Sequence, residues 1–280
     1  MSFVIRPARA DDVAAIAEWT RDTFVWGDYV AEMLPGWLDD PDSLSIVCVY
    51  EDDFPVALSR VQMLSPTEGW LSAARVHPDH RRAGMASAMN EHGVEWARSR
   101  GAMVARLATE ESNEPARRQV LKLGYRETGR WVHATAEPPD ARRLDTGTRL
   151  RPALAIDADA AWTFWSRSDL ALAGRELLAL GWRWRRATKE DLDAALENHS
   201  LQQSPAGWVI VVEREDGLMV GWMATSMADA PLLIEGLLDL ARERKTALVE
   251  AMAPALPWVT EALVRAGFEV SPILVYSRSV

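Results

Sequence analysis

Apolar and polar positions along the chain follow two periods, and each change of period marks an element. In GWLSAARV (Gly69–Val76), Trp70, Ser72 and Ala74 alternate with Leu71, Ala73 and Arg75. That is the two-residue repeat of a strand, which His77 and Pro78 then end. From Met85 the repeat lengthens, so that Met85, Met89, Gly93 and Trp96 fall on one helical face. Arg98 and Arg100 occupy the last turn of this helix, and Gly101 follows as a left-handed C′ residue.

The same succession of elements occurs twice. VIRPARADDVAAIAEW from Val4 and RLRPALAIDADAAWTFW from Arg149 each read as a short strand, Arg-Pro, an acidic helix start and an Ala/Trp-rich helix. EWARSRGAMVARLA from Glu95 matches DLARERKTALVEAM from Asp239, a helix with terminal arginines leading into a strand. VLKLGY from Val120 matches LVRAGF from Leu263, each placing glycine after an amphipathic helix. The intervals Arg6–Gly124 and Arg151–Gly267 differ by only two residues. Alternating strands and helices in both halves predict two similar α/β domains, 1–140 and 141–280. They join near EPPDARRLDTGT (Glu137–Thr148), which is polar and rich in turn formers.

Composition narrows the reading. With 280 residues the chain is long enough for two cores, and 48% hydrophobic with 26% charged residues is globular usage. Six of the 13 tryptophans lie up to Trp131 and seven from Trp162, as two cores require. No apolar run approaches the roughly 18 residues of a membrane span, and MSFVIRPARADD lacks the basic start and apolar block of a secretory signal. A cytoplasmic protein without a membrane partner is expected. A net charge of −10 argues against a nucleic-acid partner. GWRWRR (Gly181–Arg186) is then read as alternating strand faces with cation–π packing.

Against that acidic whole, residues 75–87 are basic. Arg75, Arg81 and Arg82 precede or occupy a turn whose Ala83, Gly84, Met85, Ala86 and Ser87 present backbone N–H groups at a helix start. Such amides lack internal partners and carry the positive end of the helix dipole, so an anion is their natural ligand. His77-x-x-His80 has no third ligand nearby, so no metal site is expected. The single cysteine, Cys48, lies in an apolar strand and reads as a small core residue.

Arg81-x-x-Gly84-x-Ala86, after a strand ending Val76-x-Pro78, resembles the pyrophosphate-binding motif of the GNAT acetyltransferase superfamily. Asn113-x-x-Ala116 followed by Leu123-Gly124-Tyr125 resembles that superfamily's second signature, and the resemblance covers most of residues 4–133. It implies tandem GNAT-like domains, each a mixed, mainly antiparallel sheet flanked by helices. It implies transfer of an acetyl group from acetyl-CoA to a small-molecule or peptide amine, by direct attack in a ternary complex. Ala74, Arg75 and Val76 would hold the pantetheine, Arg81–Ser87 would cradle the pyrophosphate, and Asn113 would lie near the thioester arm. Trp26, Asp28 and Tyr29 would form the acceptor wall. Where many members carry a tyrosine acid this chain has Val120, and at two frequent base positions it has Ala108 and Ser72. Glu68 and Glu111 are the available carboxylates. A non-catalytic acyl-CoA-binding or interaction protein is the alternative reading. The second half has Asp229 and no arginine or glycine in SMADAP (Ser226–Pro231), and no clear counterpart of the preceding strand. It is expected to be a degenerate unit without a donor site, an arrangement found in enzymes resembling mycothiol synthase.

Overall fold

The computed structural model describes residues 3–21, 23, 27–140, 149–215 and 217–280. The fold is mixed α/β, with mainly antiparallel sheet flanked by helices. The chain divides into two compact units that interleave in sequence. Unit 1 comprises Met1–Leu107, Arg118–Arg126 and Ser277–Val280, and unit 2 comprises Ala108–Arg117 and Glu127–Tyr276.

The elements of the first half are β1 (Val4–Pro7), α1 (Asp12–Thr20), α2 (Val30–Leu38), β2 (Ser43–Val49), β3 (Pro55–Ser65), β4 (Glu68–Val76), α3 (Met85–Ser99), β5 (Val104–Glu110) and α4 (Glu114–Lys122). Strands β1 to β4 pair antiparallel in order, and β4 pairs parallel with β5. The alternation in β2 sorts two cores. Val47 and Val49 pack with Ile16, Val30, Leu34 and Trp37 of α1 and α2. Ile46 and Cys48 face the other way, onto Met85 and Met89 of α3. Burying each of these large side chains contributes about 1.5–3 kcal/mol. Burial also pushes the Cys48 thiol up to about 12, which leaves it protonated and inert. Residues 277–280 complete unit 1: Arg278 donates to Glu91 at 2.6 Å and to the Leu123 carbonyl at 3.0 Å.

The remaining elements are β6 (Arg126–Ala136), β7 (Arg151–Pro152), α5 (Ala155–Trp165), α6 (Asp169–Ala173), β8 (Leu177–Ala179), β9 (Trp184–Arg186), α7 (Lys189–Glu197), β10 (Leu201–Ser204), β11 (Gly207–Glu213), β12 (Gly217–Ala224), α8 (Ala230–Arg244), β13 (Leu248–Pro254), α9 (Pro257–Arg265) and β14 (Glu269–Ser279). Within unit 2 the strand order is β14-β6-β13-β12-β11-β10-β7, with β8 and β9 forming a separate ribbon. Helices α3 and α8 are 15 residues each, α4 and α9 nine each, and β6 and β14 eleven each, so the elements paired by the sequence pattern have equal lengths. Gly124 (φ +82°) and Gly267 (φ +94°) end the matching helices in the left-handed conformation that the sequence required. Strand β6 comes before the polar linker in the chain, yet pairs antiparallel with β13, Trp131 to Ala136 against Pro254 to Val249. This cross-pairing of the two repeats explains why the compact units interleave.

Candidate functional site

Strand β4 starts as an ordinary partner of β5 and then leaves it. The parallel pairing covers only Glu68–Trp70 against Val104–Arg106. On the other edge, Leu58 pairs with Arg75 and Arg60 with Ser72, so β4 carries one residue more than β3 across this step. The extra residue is a bulge, with Ala73 at φ +56°. A bulge bends its strand, and from Leu71 onward the β5-side edge of β4 has no β5 partner. Ala74 to Val76, the residues expected at the pantetheine, lie on this divergent stretch. Gly69 holds the opposite end closed: a Cβ there would stand 2.8 Å from the Ala97 Cβ of α3.

Beyond β4, a single 3₁₀ turn (Pro78–His80) carries the chain to Arg81, Arg82 at φ +67°, and Gly84 at φ +82°. The Ala88 N–H is the first to close on the helix, bonding the Gly84 carbonyl at 3.0 Å. The amides of Met85, Ala86 and Ser87 therefore stand at the open helix start. A Cβ at Gly84 would meet nothing within 4 Å, so the space above the turn is free. Arg81 and Arg82 are exposed, and neither pairs with a carboxylate among the described residues. The Met85 side chain is buried in the core, leaving only its amide for binding. Behind the turn, His77 packs on Trp19 at 5.8 Å and on His80 at 5.3 Å, and His80 packs on Tyr50 at 5.3 Å. These histidines brace the turn, and among the described residues no group of three or more potential ligands surrounds a metal position.

Other residues singled out from the sequence are placed differently. Arg75 is not a free cation: its Nε donates to Asp28 Oδ2 at 2.7 Å, and the Asp28 side chain is 0% exposed. Asp28 is thus committed to Arg75, while Tyr29 is exposed beside it and Trp26 lies outside the described residues. Glu68 is buried in an ion pair with Arg106 and accepts from Ser65 Oγ at 3.2 Å, at the paired end of β4. A carboxylate so engaged is not free to take a proton from an amine. Glu111, in unit 2, accepts from Arg130 at 2.7 Å. The Asn113 side-chain Oδ1 accepts from the Ala116 N–H at 3.3 Å, capping α4. Val120 is buried core. Ser72 sits one residue before the bulge, half-buried. In GWRWRR, Trp184 is fully buried, and Arg185 and Arg186 pair with Asp191 and Glu176.

Unit 2 has a comparable succession of strand, bulge, turn and helix leading to α8. The missing counterpart of β4 is present as β12, which pairs parallel with β13 from Gly217–Leu248 to Val220–Ala251. It escaped the sequence reading because a strand buried on both faces has no alternation. A bulge follows here too, between Ile210–Trp222 and Val211–Val220. It is covered, however: the Ala179 carbonyl of β8 lies 1.8 Å from where a Gly221 Cβ would stand. At the start of α8 the Asp229 and Ala230 amides both bond the Ser226 carbonyl, at 3.2 and 2.9 Å, and Pro231 has no N–H. Beside this turn opens a groove of about 940 Å³ lined by Phe164, Trp208, Met227 and Trp258.

Comparison with known proteins finds likeness to acetyltransferases. Residues 13–125 match the model of the Acetyltransferase (GNAT) family. A GCN5-related N-acetyltransferase from Sphaerobacter thermophilus superposes with a TM-score of 0.71 at 16% identity, covering 99% of this chain and 95% of that one. A putative acetyltransferase from Thermoplasma acidophilum gives 0.60 at 15% identity over 99% and 100%. A tandem GNAT protein from the clavulanic acid biosynthesis pathway gives 0.59 at 14% identity over 99% and 98%. At these identities the likeness is one of fold. No curated protein sequence matches the chain significantly.

Proposed function

Because residues 13–125 match the model of the Acetyltransferase (GNAT) family, we propose that this chain is an acetyl-CoA-dependent N-acetyltransferase with a single donor site, in unit 1. The observation that carries the reading is the divergent stretch of β4, which leads directly into the open helix start at Gly84. The residues present fit the donor. The edge of Ala74–Val76 that has no β5 partner offers strand-like hydrogen bonds to an amide-bearing arm, and the amides of Met85, Ala86 and Ser87 with Arg81 and Arg82 suit a diphosphate. When bound, acetyl-CoA supplies an activated acyl thioester.

What the chain itself must supply is orientation and a route for a proton. A lysine-like amine, with a pKa near 10.4, costs about 4.6 kcal/mol to deprotonate at pH 7, whereas a thiol leaving group near 8.5 scarcely needs an acid. The loss of the tyrosine at Val120 is thus tolerable, but the lack of a free carboxylate on β4 favours either an acceptor of low pKa or relay through the Ser72 hydroxyl. The acceptor is a small-molecule or peptide amine, and the reading implies a cytoplasmic protein. Among the described residues no helix is long and apolar enough to cross a membrane.

The engagement of Glu68 and Glu111 in ion pairs also favours a second reading, an acyl-CoA-binding protein without turnover. One measurement of two separates the readings. Acetyl-CoA at 100 times its Kd stabilises the fold by about 2.7 kcal/mol under both. Release of free CoA over a panel of amines occurs only under the first.

A further inference from the structure

Arg75 and Asp28 lie 47 residues apart in sequence and meet in the interior of unit 1. Arg75 Nε donates to Asp28 Oδ2 at 2.7 Å and Nη2 to Oδ1 at 3.4 Å. Asp28 Oδ1 also accepts from the Val30 N–H at 3.1 Å, so the same carboxylate fixes the first turn of α2. The Arg75 guanidinium carbon lies 5.6 Å from the centroid of the Tyr29 ring, which meets Trp37 edge-on at 6.1 Å. Trp37 is buried, whereas Tyr29 is 41% exposed. The remaining nitrogen, Nη1, donates to the carbonyl of Ala74 at 3.2 Å, on the stretch of β4 beyond the bulge.

We propose that Arg75 is a positioning residue that locks the Asp28–Tyr29 segment to strand β4 and so sets the exposed Tyr29 ring as a wall of the amine site. The inference rests on the acyltransferase reading. A buried carboxylate is tolerated only when paired, and apolar residues could join α2 to β4 without that demand. What an arginine adds is direction: its planar fork holds the carboxylate in one orientation while its face stacks on a ring. One side chain thereby ties the strand that grips the donor to two consecutive residues of the segment before α2. Lysine can keep the charge but neither the fork nor the stacking.

Arg75→Lys, which retains the ion pair and the fold, is compared with Tyr29→Ala, an exposed change, and with the double variant. The probes are acetyl-CoA and the best amine of the panel. Arg75→Lys is expected to raise the amine KM about tenfold, a larger change than in kcat or in the acetyl-CoA Kd. Tyr29→Ala is expected to match it, and the double variant to be no worse than either alone. Additive KM effects, an unchanged amine KM, or a loss confined to acetyl-CoA affinity would each overturn the proposal. Failure of every amine overturns it as well, and wild-type acetyl-CoA binding then decides whether the donor site stands without it.

Discussion

The hydroxyl of Ser226 donates a 2.6 Å hydrogen bond to the carboxylate of Asp229, which fixes that carboxylate at the start of α8. The matching turn of unit 1 has Arg81, Arg82 and Gly84 in the same role-bearing positions. The contrast is electrostatic as well as steric, because a carboxylate repels the phosphate that a guanidinium attracts. Removing the charge does not recreate the site, since Pro231 still lacks an N–H and β8 still covers the bulge. Asp229→Ala is therefore expected to bind one acetyl-CoA per chain by calorimetry, the stoichiometry also expected of wild type. A second bound equivalent would mean that unit 2 retains a latent donor site.

Arg82 adopts φ +67°, a region that costs a non-glycine residue about 1–2 kcal/mol. Such strain persists where the side chain is needed. Replacing Arg82 by Gly relieves the strain and removes a cation from the diphosphate. The expected result is a melting temperature equal to or above wild type together with roughly tenfold weaker acetyl-CoA binding, the deficit shrinking in high salt. A variant with lower stability and unchanged affinity contradicts the assignment.

Glu68 and Arg106 form a buried ion pair, with side chains 10% and 11% exposed. Breaking one side of such a pair costs about 3–5 kcal/mol. Glu68→Gln should accordingly unfold at lower denaturant concentration while its kcat per folded molecule stays within about twofold. A loss of kcat of about 10²-fold or more at retained stability would restore Glu68 as the base.

In unit 2, the hydrogen bond from His133 holds the Glu250 carboxyl below its usual value of 4.5, with burial opposing it. A pKa lowered on folding adds stability that is present above about pH 4.5 and is lost as the pH falls through the folded-state value. In urea titrations between about pH 5 and pH 3, wild type should lose more stability than Glu250→Gln. Equal slopes for the two proteins would show that the hydrogen bond contributes no pH-dependent stability.

The parts of this fold that were legible in the chain are local. Gly84, Gly101, Gly124 and Gly267 each stand where a helix begins or ends, and all have positive φ, because only glycine takes that conformation without strain. Strand β4 and helix α3 follow from period alone. What the chain did not disclose depends on partners distant in sequence. Arg75 reads as one cation of a basic stretch until Asp28 is seen beside it, and Glu68 reads as an available carboxylate until Arg106 is. The bulge at Ala73 carries no turn residue to announce it, since it falls within Ala-Ala. Strand β12 is apolar on both faces and so lacks the alternation that exposed β4. Pairing of β6 with β13 is likewise invisible, because nothing in either strand specifies its neighbour.

The central claim is that the turn at Gly84 binds the diphosphate of one acetyl-CoA. A calorimetric titration of wild type and Gly84→Glu tests it most directly, because position 84 has free space above it and the added carboxylate would occupy that space. The account predicts one equivalent bound by wild type and at least a hundredfold weaker binding by the variant. The variant should stay folded and lose only about 1–2 kcal/mol to the left-handed backbone. Equal affinity in both proteins, or no binding by wild type, would contradict it.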